Sequence, residues 1–573
     1  MQHTSYSFPS HILPLLDLAL VLLAALVLWG WRRRGKGPYE RAGAGAQLLT
    51  WAPKRPAALV GTLGFTGTLL AFLAFGTPVP TVVDEHAYLL AAETFASGRL
   101  AAPTPEHPRH FEAPHVFQVP VRASKYPPAQ GLLLALGRVI GGTPAFGLLL
   151  AAGLLGASMV WCLRGWMPAP WAFVGGLVVL LRLGVGGYWN QTYWGGSVAA
   201  IGGALVYGAL PRLRRRPHPY PAAAFALGLA ILANSRPFEG LLVALPAVAS
   251  LGISALSGLR EPGTKNTGRR LRHLALRGAA PMLAVLLPVA LWMGHYNRTL
   301  TGDPWLLPHV GHRAAYDLPA EFVFQSSHRP TAYRNQQRPP AWPSGDNGPA
   351  EPWLGTAVAQ GLHRASLSLF FYLGLASALP LATWFLGRRA AGAELPGLRA
   401  PGPWIPAAGC ALVLLGGALT RVWFPHYPAP MAAPLLVLAL GGLRRLSHLS
   451  ARNKPPRAAL AVAVLTVQAV LFGVQLPAHR PDPGSTAAER LRIQSTLETR
   501  PGQDLVFVDR AGHPSGPWMA NPPDLGDAGV LWAHDLGPDA NCALLAAYPG
   551  REPWLLDLGE EGPLQVEPFD PCR

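Results

Sequence analysis

Apolar residues along this chain come in blocks of about 15 to 22 rather than in strict alternation, and short polar stretches separate them. Such runs match the hydrocarbon core of a bilayer, which a helix of about 20 residues spans. The blocks fall at 15–31, 57–75, 128–142, 144–163, 168–187, 194–211, 221–233, 241–259, 279–293, 366–386, 403–419, 428–443 and 458–476. They predict an all-α polytopic membrane protein of about 11 to 13 transmembrane helices. The first block is too long for a signal-peptide core, and its charges (Arg32, Arg33, Arg34, Lys36) follow it. It reads as a retained span with an outer N-terminus.

Basic residues set the expected sidedness. Arg212, Arg214, Arg215 and Arg216 close the sixth block, and further clusters lie at Arg260 to Arg272, Arg388 to Arg389 and Arg444 to Lys454. Short Lys and Arg-rich loops stay cytoplasmic, so residues 77–127 and 295–362 become outer loops. From the first of these loops to the cytoplasmic cluster at Arg212 to Arg216, parity demands an odd number of crossings where four blocks occur. The block 128–142 is therefore expected to be too short to span. Residues 1–56 form an extra N-terminal span and basic loop, and 57–476 the main membrane domain. From 477 to 573 acids rise, and DLVFVDR, GVLWAHDL and PWLLDL read as strands of a small extracytoplasmic α/β domain.

Composition agrees: half the residues are hydrophobic and 13% charged. The net charge of +17 does not imply a nucleic-acid partner, because the basic residues sit in the short loops between spans. The four cysteines lack zinc or redox spacing. Cys162 and Cys410 fall in apolar blocks, whereas Cys542 and Cys572 lie in the tail, where an oxidising compartment would allow a disulfide.

Candidate chemistry concentrates in residues 81–130. Asp84 and Glu85 sit together at the exit of a span, where carboxylates are costly unless solvated, partnered or functional. They can also serve as N-terminal caps of an interfacial helix read over 86–100. Arg122, Lys125 and Tyr126 follow at the loop's far end. His107, His110 and His115 fit no helical metal spacing and read as a solvated loop. Other turns bring Tyr193 and Asn190 (in YWNQTYW), Arg236 and Glu239 (NSRPFEG), and Arg421, His426 and Tyr427 (TRVWFPHYPAP) to the same side. Arg236 and Glu239 can equally pair with each other. The loop 295–362 adds His309, His312, Arg313, Tyr316, Asp317, Arg329 and Arg334. Cations that hold a lipid phosphate, beside a carboxylate that takes an acceptor proton, suit sugar transfer with inversion at the membrane surface. Lysine and arginine can neutralise a monophosphate unaided, so no cofactor is required, although Asp84, Glu85 and the histidines could hold a divalent cation.

The segment VVDEHAYLLAAETFASGRL after a span, followed by KYPPAQGLLLALG, resembles the first outer loop of the GT-C glycosyltransferase superfamily, which includes protein O-mannosyltransferases and lipid A aminoarabinose transferases. YWNQTYW, NSRPFEG and HYNRTLTGDPW are similar to a bacterial branch of that group. The resemblance implies a polyprenyl or dolichyl phosphate sugar donor and an outer active site on the bacterial inner membrane. It implies Asp84 as general base with Glu85 beside it, and Lys125 and Tyr126 near the donor phosphate. The candidate phosphate-binding set is then Arg122, Lys125, Tyr126, Arg236, Arg421 and His426, with Glu239, Tyr193, Asn190 and Tyr427 as further substrate contacts. His86 and the extra N-terminal span depart from the pattern. Two alternatives stand beside it: a carrier for lipid-linked saccharides that uses the same cations and expects charges within spans such as Arg182, and a saccharide polymerase or ligase, which would rely on Arg and His more than on an Asp-Glu pair.

Overall fold

A computed structural model describes residues 12–33, 53–185, 187–260, 267–316, 321–325, 353–384, 402–449, 457–480, 482–509, 518–559 and 564–572. Its helices are α1 (Ile12–Arg33), α2 (Pro56–Phe75), α3 (Val83–Ala96), α4 (Ala129–Gly141), α5 (Ala145–Leu163) and α6 (Ala169–Val179), the last continued by a π turn over Leu180–Gly184. Then come α7 (Ser197–Arg215), α8 (Pro219–Ala233), α9 (Pro237–Arg260), α10 (Thr267–Leu274), α11 (Ala280–Thr301), α12 (Pro308–Ala315), α13 (Trp353–Ala378), α14 (Trp404–Leu419), α15 (Ala432–Leu449) and α16 (Arg457–Gln475). Among the described residues six helices are long and apolar enough to cross a bilayer, and six shorter apolar helices accompany them. The protein is a polytopic helical membrane protein.

The helix α4 is 13 residues long, about 20 Å at about 1.5 Å per residue, so it falls short of the hydrocarbon core. It coincides with the block expected to be too short to span, and it packs on α3. Buried residues of α5, α6, α7 and α15 form the main core, with Tyr207, Leu155, Met159 and Leu210 fully enclosed.

Arg182 lies in the π turn and donates to the carbonyls of Phe370 and Phe371 in α13. These carbonyls precede a break at Gly374, where φ is +64°. On the far side of the break Asp17 of α1 accepts the N–H of Leu375 at 2.7 Å. The intramembrane charges thus satisfy backbone groups that the break leaves without helical partners.

The tail is a four-stranded sheet of order β4-β3-β5-β6, counting the hairpin of the first loop as β1 (Val116–Phe117) and β2 (Ala123–Ser124). The strand β3 (Gln503–Asp509) runs parallel to both β4 (Val530–His534) and β5 (Arg551–Asp557), and β6 (Val566–Pro568) is antiparallel to β5. Five consecutive residues of β3 are buried, which is why it reads as an apolar run rather than an alternation. The helices α17 (Thr486–Glu498) and α18 (Pro538–Ala547) accompany the sheet. Cys542 of α18 is disulfide-bonded to Cys572. Phe111 of the first loop is buried among Leu505, Phe507 and Leu531 of this sheet. Within the run 103–120, His110 to Glu112 and Val116 to Gln118 are therefore buried rather than solvated, while residues such as Pro103, Glu106 and Val119 stay exposed.

A Cβ at Gly374 would lie 2.8 Å from Asp17 Oδ2 and 3.0 Å from Arg182 Nη1. Gly374→Ala is expected to cost about 2 kcal/mol, the left-handed backbone strain plus this crowding. The check is the thermal midpoint in detergent, and an unchanged midpoint contradicts the account.

Candidate functional site

The helix α3 begins at Val83, three residues before the periodicity of the sequence suggests, so both acids lie in its first turn. They do different work. Glu85 is fully buried. Its Oε1 accepts the N–H groups of Thr81 (3.0 Å) and Val82 (3.3 Å), and its Oε2 accepts that of Tyr193 (2.9 Å). This is the capping role, extended to hold a second loop. Burial pushes the Glu85 carboxyl up to about 7 against the pull of those three donors.

Asp84 points elsewhere. It accepts the hydroxyl proton of Tyr126 and lies 3.7 Å from Nε2 of His115, and its side chain keeps 20% exposure. Burial works to raise its carboxyl, but His115, Tyr126, Lys125 and Trp194 hold it below the usual aspartate value. Burial lowers His115 to about 3, with Lys125 adding to the effect and Asp84 opposing it. The imidazole is thus neutral at neutral pH, and Lys125 is the cation that balances Asp84 there. Burial brings Lys125 itself down to about 8, opposed by Asp84.

The hairpin explains this grouping. Val116 pairs with Ser124 and Phe117 with Ala123, and the N–H of Lys125 donates to the carbonyl of His115 at 2.9 Å. His115 is thereby set opposite Lys125 and Tyr126. Tyr126 stacks on Tyr88 of α3 at 4.6 Å, and the Lys125 ammonium sits 5.2 Å from the Tyr126 ring centroid. The alternating VFQVPVRAS run around Pro120 was the available sequence signal for His115.

A second layer comes from two other turns. Arg236 lies over the ring of Tyr427 at 4.2 Å. Burial disfavours its charge, but Tyr88, Tyr427, Glu239 and Tyr126 more than offset that. His426 bonds Tyr188 through Nδ1 at 2.9 Å and packs 4.5 Å from Trp194. Burial and Arg236 hold its ring well below the usual histidine value, so it is neutral. Trp194 is delivered by the turn at Gly195 and Gly196, both at positive φ. Composition and periodicity gave no reason to single out Tyr88, Tyr188 or Trp194 from an ordinary aromatic belt.

Three candidates lie apart from this grouping. Arg122 is buried, and its guanidinium donates to the carbonyls of Asn521, Pro522 and Pro523 in the tail. Arg421 donates to the carbonyls of Phe322 and Gln325, stitching that short segment to the turn after α14. Asn190 donates to Gly184 O and accepts from Ser197, which fixes the loop between α6 and α7. Tyr193 contributes its backbone N–H to Glu85. Asp317, Arg329 and Arg334 lie outside the described residues. Among the described residues no group of three or more His, Cys, Asp and Glu side chains is arranged to hold a metal ion.

Two substitutions separate the acids. Glu85→Gln turns an amide N–H₂ against backbone donors and is expected to cost about 2 kcal/mol, read as a lower thermal midpoint; no loss contradicts the capping role. Asp84 is held below its unfolded value, so its ionisation stabilises the fold at neutral pH, and that stability is lost as pH falls through the folded value. Tyr126→Phe removes a donor and raises the folded value. The acid-side fall in midpoint then begins at a higher pH than in wild type, and coincident curves contradict the contact.

No family model and no curated protein sequence matches the chain. Solved structures do. ArnT from Cupriavidus metallidurans bound to undecaprenyl phosphate aligns with a TM-score of 0.50 and 14% identity over 87% of this chain and 92% of that one. Its apo form aligns with a TM-score of 0.49 at the same identity and coverage. The Archaeoglobus fulgidus oligosaccharyltransferase in the apo form aligns at 0.43 and 12% identity over 91% of this chain and 70% of that one. At these identities the likeness is one of fold, and it rests on the first of the three: the chain shares the membrane fold of that ArnT structure along most of its length.

Proposed function

We propose that the protein is an integral membrane glycosyltransferase, moving a hexosyl or pentosyl group from a polyprenyl-phosphate donor to an acceptor hydroxyl on the outer face of a bacterial inner membrane. The observation that carries this reading is Asp84, a partly exposed carboxylate held below its usual value beside His115, Tyr126 and Lys125. The fold shared with ArnT, whose structure holds undecaprenyl phosphate, supports a lipid phosphate as the donor's anchor. The positive loops support the orientation, and the Cys542–Cys572 bond supports an oxidising compartment for the tail.

In this reading Lys125 and Arg236 receive the donor phosphate and neutralise it as it leaves. The acceptor oxygen attacks the anomeric carbon from the opposite face, the bond from that carbon to phosphate oxygen breaks, and Asp84 takes the acceptor's proton. A depressed carboxylate is a weak base in the ground state, so its pull grows only as the attacking oxygen becomes acidic at the transition state. The partly exposed rings of Tyr126, Trp194 and Tyr427 supply flat faces and polar edges for the sugar, with the buried His426 and Tyr88 packed behind them. Arg122 and Arg421, engaged with backbone carbonyls, are outside this set. Lys125 and Arg236 match the charge of the monophosphate leaving group, so the reading requires no divalent cation. The carrier alternative gains nothing from Arg182, whose donors are spent on the break in α13.

The test is transfer of radiolabelled sugar from a panel of polyprenyl phosphate sugars to a crude membrane acceptor, by purified wild type and Asp84→Asn protein. The expected outcome is turnover in wild type and a loss of about 10³-fold or more in the variant with donor binding retained. Binding without turnover in either protein contradicts the transferase reading and favours the carrier. Donor binding should also weaken as pH rises through about 8, where Lys125 loses its charge. Lys125→Met should remove that alkaline limb; an unchanged limb contradicts the lysine's role.

A further inference from the structure

The tail holds the first outer loop through groups that are expensive to leave unpaired. Arg122 is 2% exposed and directs its guanidinium at three successive tail carbonyls: Asn521 at 2.9 Å, Pro522 at 2.5 Å and Pro523 at 3.4 Å. Asn521 is itself fixed to β4, donating to Trp532 O at 2.8 Å and accepting Trp532 N–H at 2.9 Å. On the loop side, the backbone of Arg122 exchanges both hydrogen bonds with Ala102, each 2.9 Å. Ala123 and Ser124 follow at once in β2, then Lys125 bonded to His115, then Tyr126 bonded to Asp84. A continuous bonded path runs from the tail sheet to the carboxylate.

Two further pins flank it. Arg99, just past the end of α3, makes a two-pronged contact with Asp524, at 2.8 and 2.5 Å. His534 Nε2 meets the carbonyl of Glu112 at 2.8 Å, while Phe111 is sunk in the tail core. Both sides of the hairpin and the end of α3 are therefore anchored to one sheet. Between α3 and the tail, His86, Arg122 and Asn521 line a small cavity, into whose surroundings His86 Nε2 and Arg122 Nε bring buried N atoms without a protein partner. The joint combines an apolar anchor at Phe111 with directed hydrogen bonds that set its register.

We propose that the C-terminal domain is a brace for the hairpin and that Arg122 is its positioning residue, setting the placement of Lys125 and Tyr126 against Asp84. The docking part stands on the contacts alone; its effect on turnover rests on the transferase reading. A guanidinium suits the role because its rigid fork reaches several carbonyls at once, which a lysine ammonium on a flexible stem does not reproduce.

The experiment uses the full-length protein in detergent with Arg122→Ala, Arg122→Lys and Asp524→Asn. Amide hydrogen exchange over residues 102–126 should quicken by about tenfold or more in Arg122→Ala, less in Arg122→Lys and least in Asp524→Asn, while α5 and α7 are unchanged. With a competent donor, kcat should fall by about 10²-fold in Arg122→Ala. The alkaline limb of donor binding should move above that of wild type, because a loosened Lys125 becomes hydrated and returns toward the ordinary lysine value. A merely destabilised protein would lose folded material without moving that limb. Unchanged exchange in the hairpin in both Arg122 variants overturns the brace. If Arg122→Ala does not fold, the Arg122→Lys and Asp524→Asn data decide in the same way. Faster exchange in a protein that shows no transfer from any donor upholds the brace and removes the transferase reading.

Discussion

The structure turns on one carboxylate kept ionised in a place that disfavours charge. Asp84 is largely withdrawn from water at the end of a helix bundle, and it is held below its usual value by groups from segments distant in sequence. Tyr126 and Lys125 come from the end of β2, His115 from the start of β1, and Trp194 from the loop between α6 and α7. A second layer, Arg236 over Tyr427, comes from two further turns. The convergence of these loops, the capping by Glu85 and the grip of the tail all keep these partners in place.

Arginine is used in two ways. Arg122, Arg182, Arg364 and Arg421 each donate to backbone carbonyls at breaks, turns or loops, whether among the membrane helices or in the tail, that would otherwise lack a partner. Arg236 instead lies over the ring of Tyr427. The planar guanidinium can do either, so residue type alone does not say which; the supply of carbonyls within reach decides.

That ambiguity marks how far the sequence could be read. Spans and tail strands were legible because each depends on a local run: the β3, β4 and β5 strands fall on the three segments read as apolar strands, and α4 stops where Gly142 ends a short block. The separate duties of Asp84 and Glu85 were not legible, since Glu85 is committed by the N–H of Tyr193, 108 positions away. Arg122 looked like a phosphate ligand because its partners lie about 400 residues downstream and are main-chain atoms with no side-chain signature. His115 was hidden in a Pro and His-rich run whose order depends on burial of Phe111 in the tail.

The most direct measurement is an infrared difference titration of wild type against Asp84→Asn, which isolates the carboxylate bands of that one residue. The account predicts an ionised Asp84 throughout the neutral range, losing its carboxylate band only at pH values below those of an ordinary aspartate. A carboxyl band for Asp84 that persists at neutral pH would contradict it, because a protonated Asp84 could neither pair with Lys125 nor accept the proton that the proposed transfer requires.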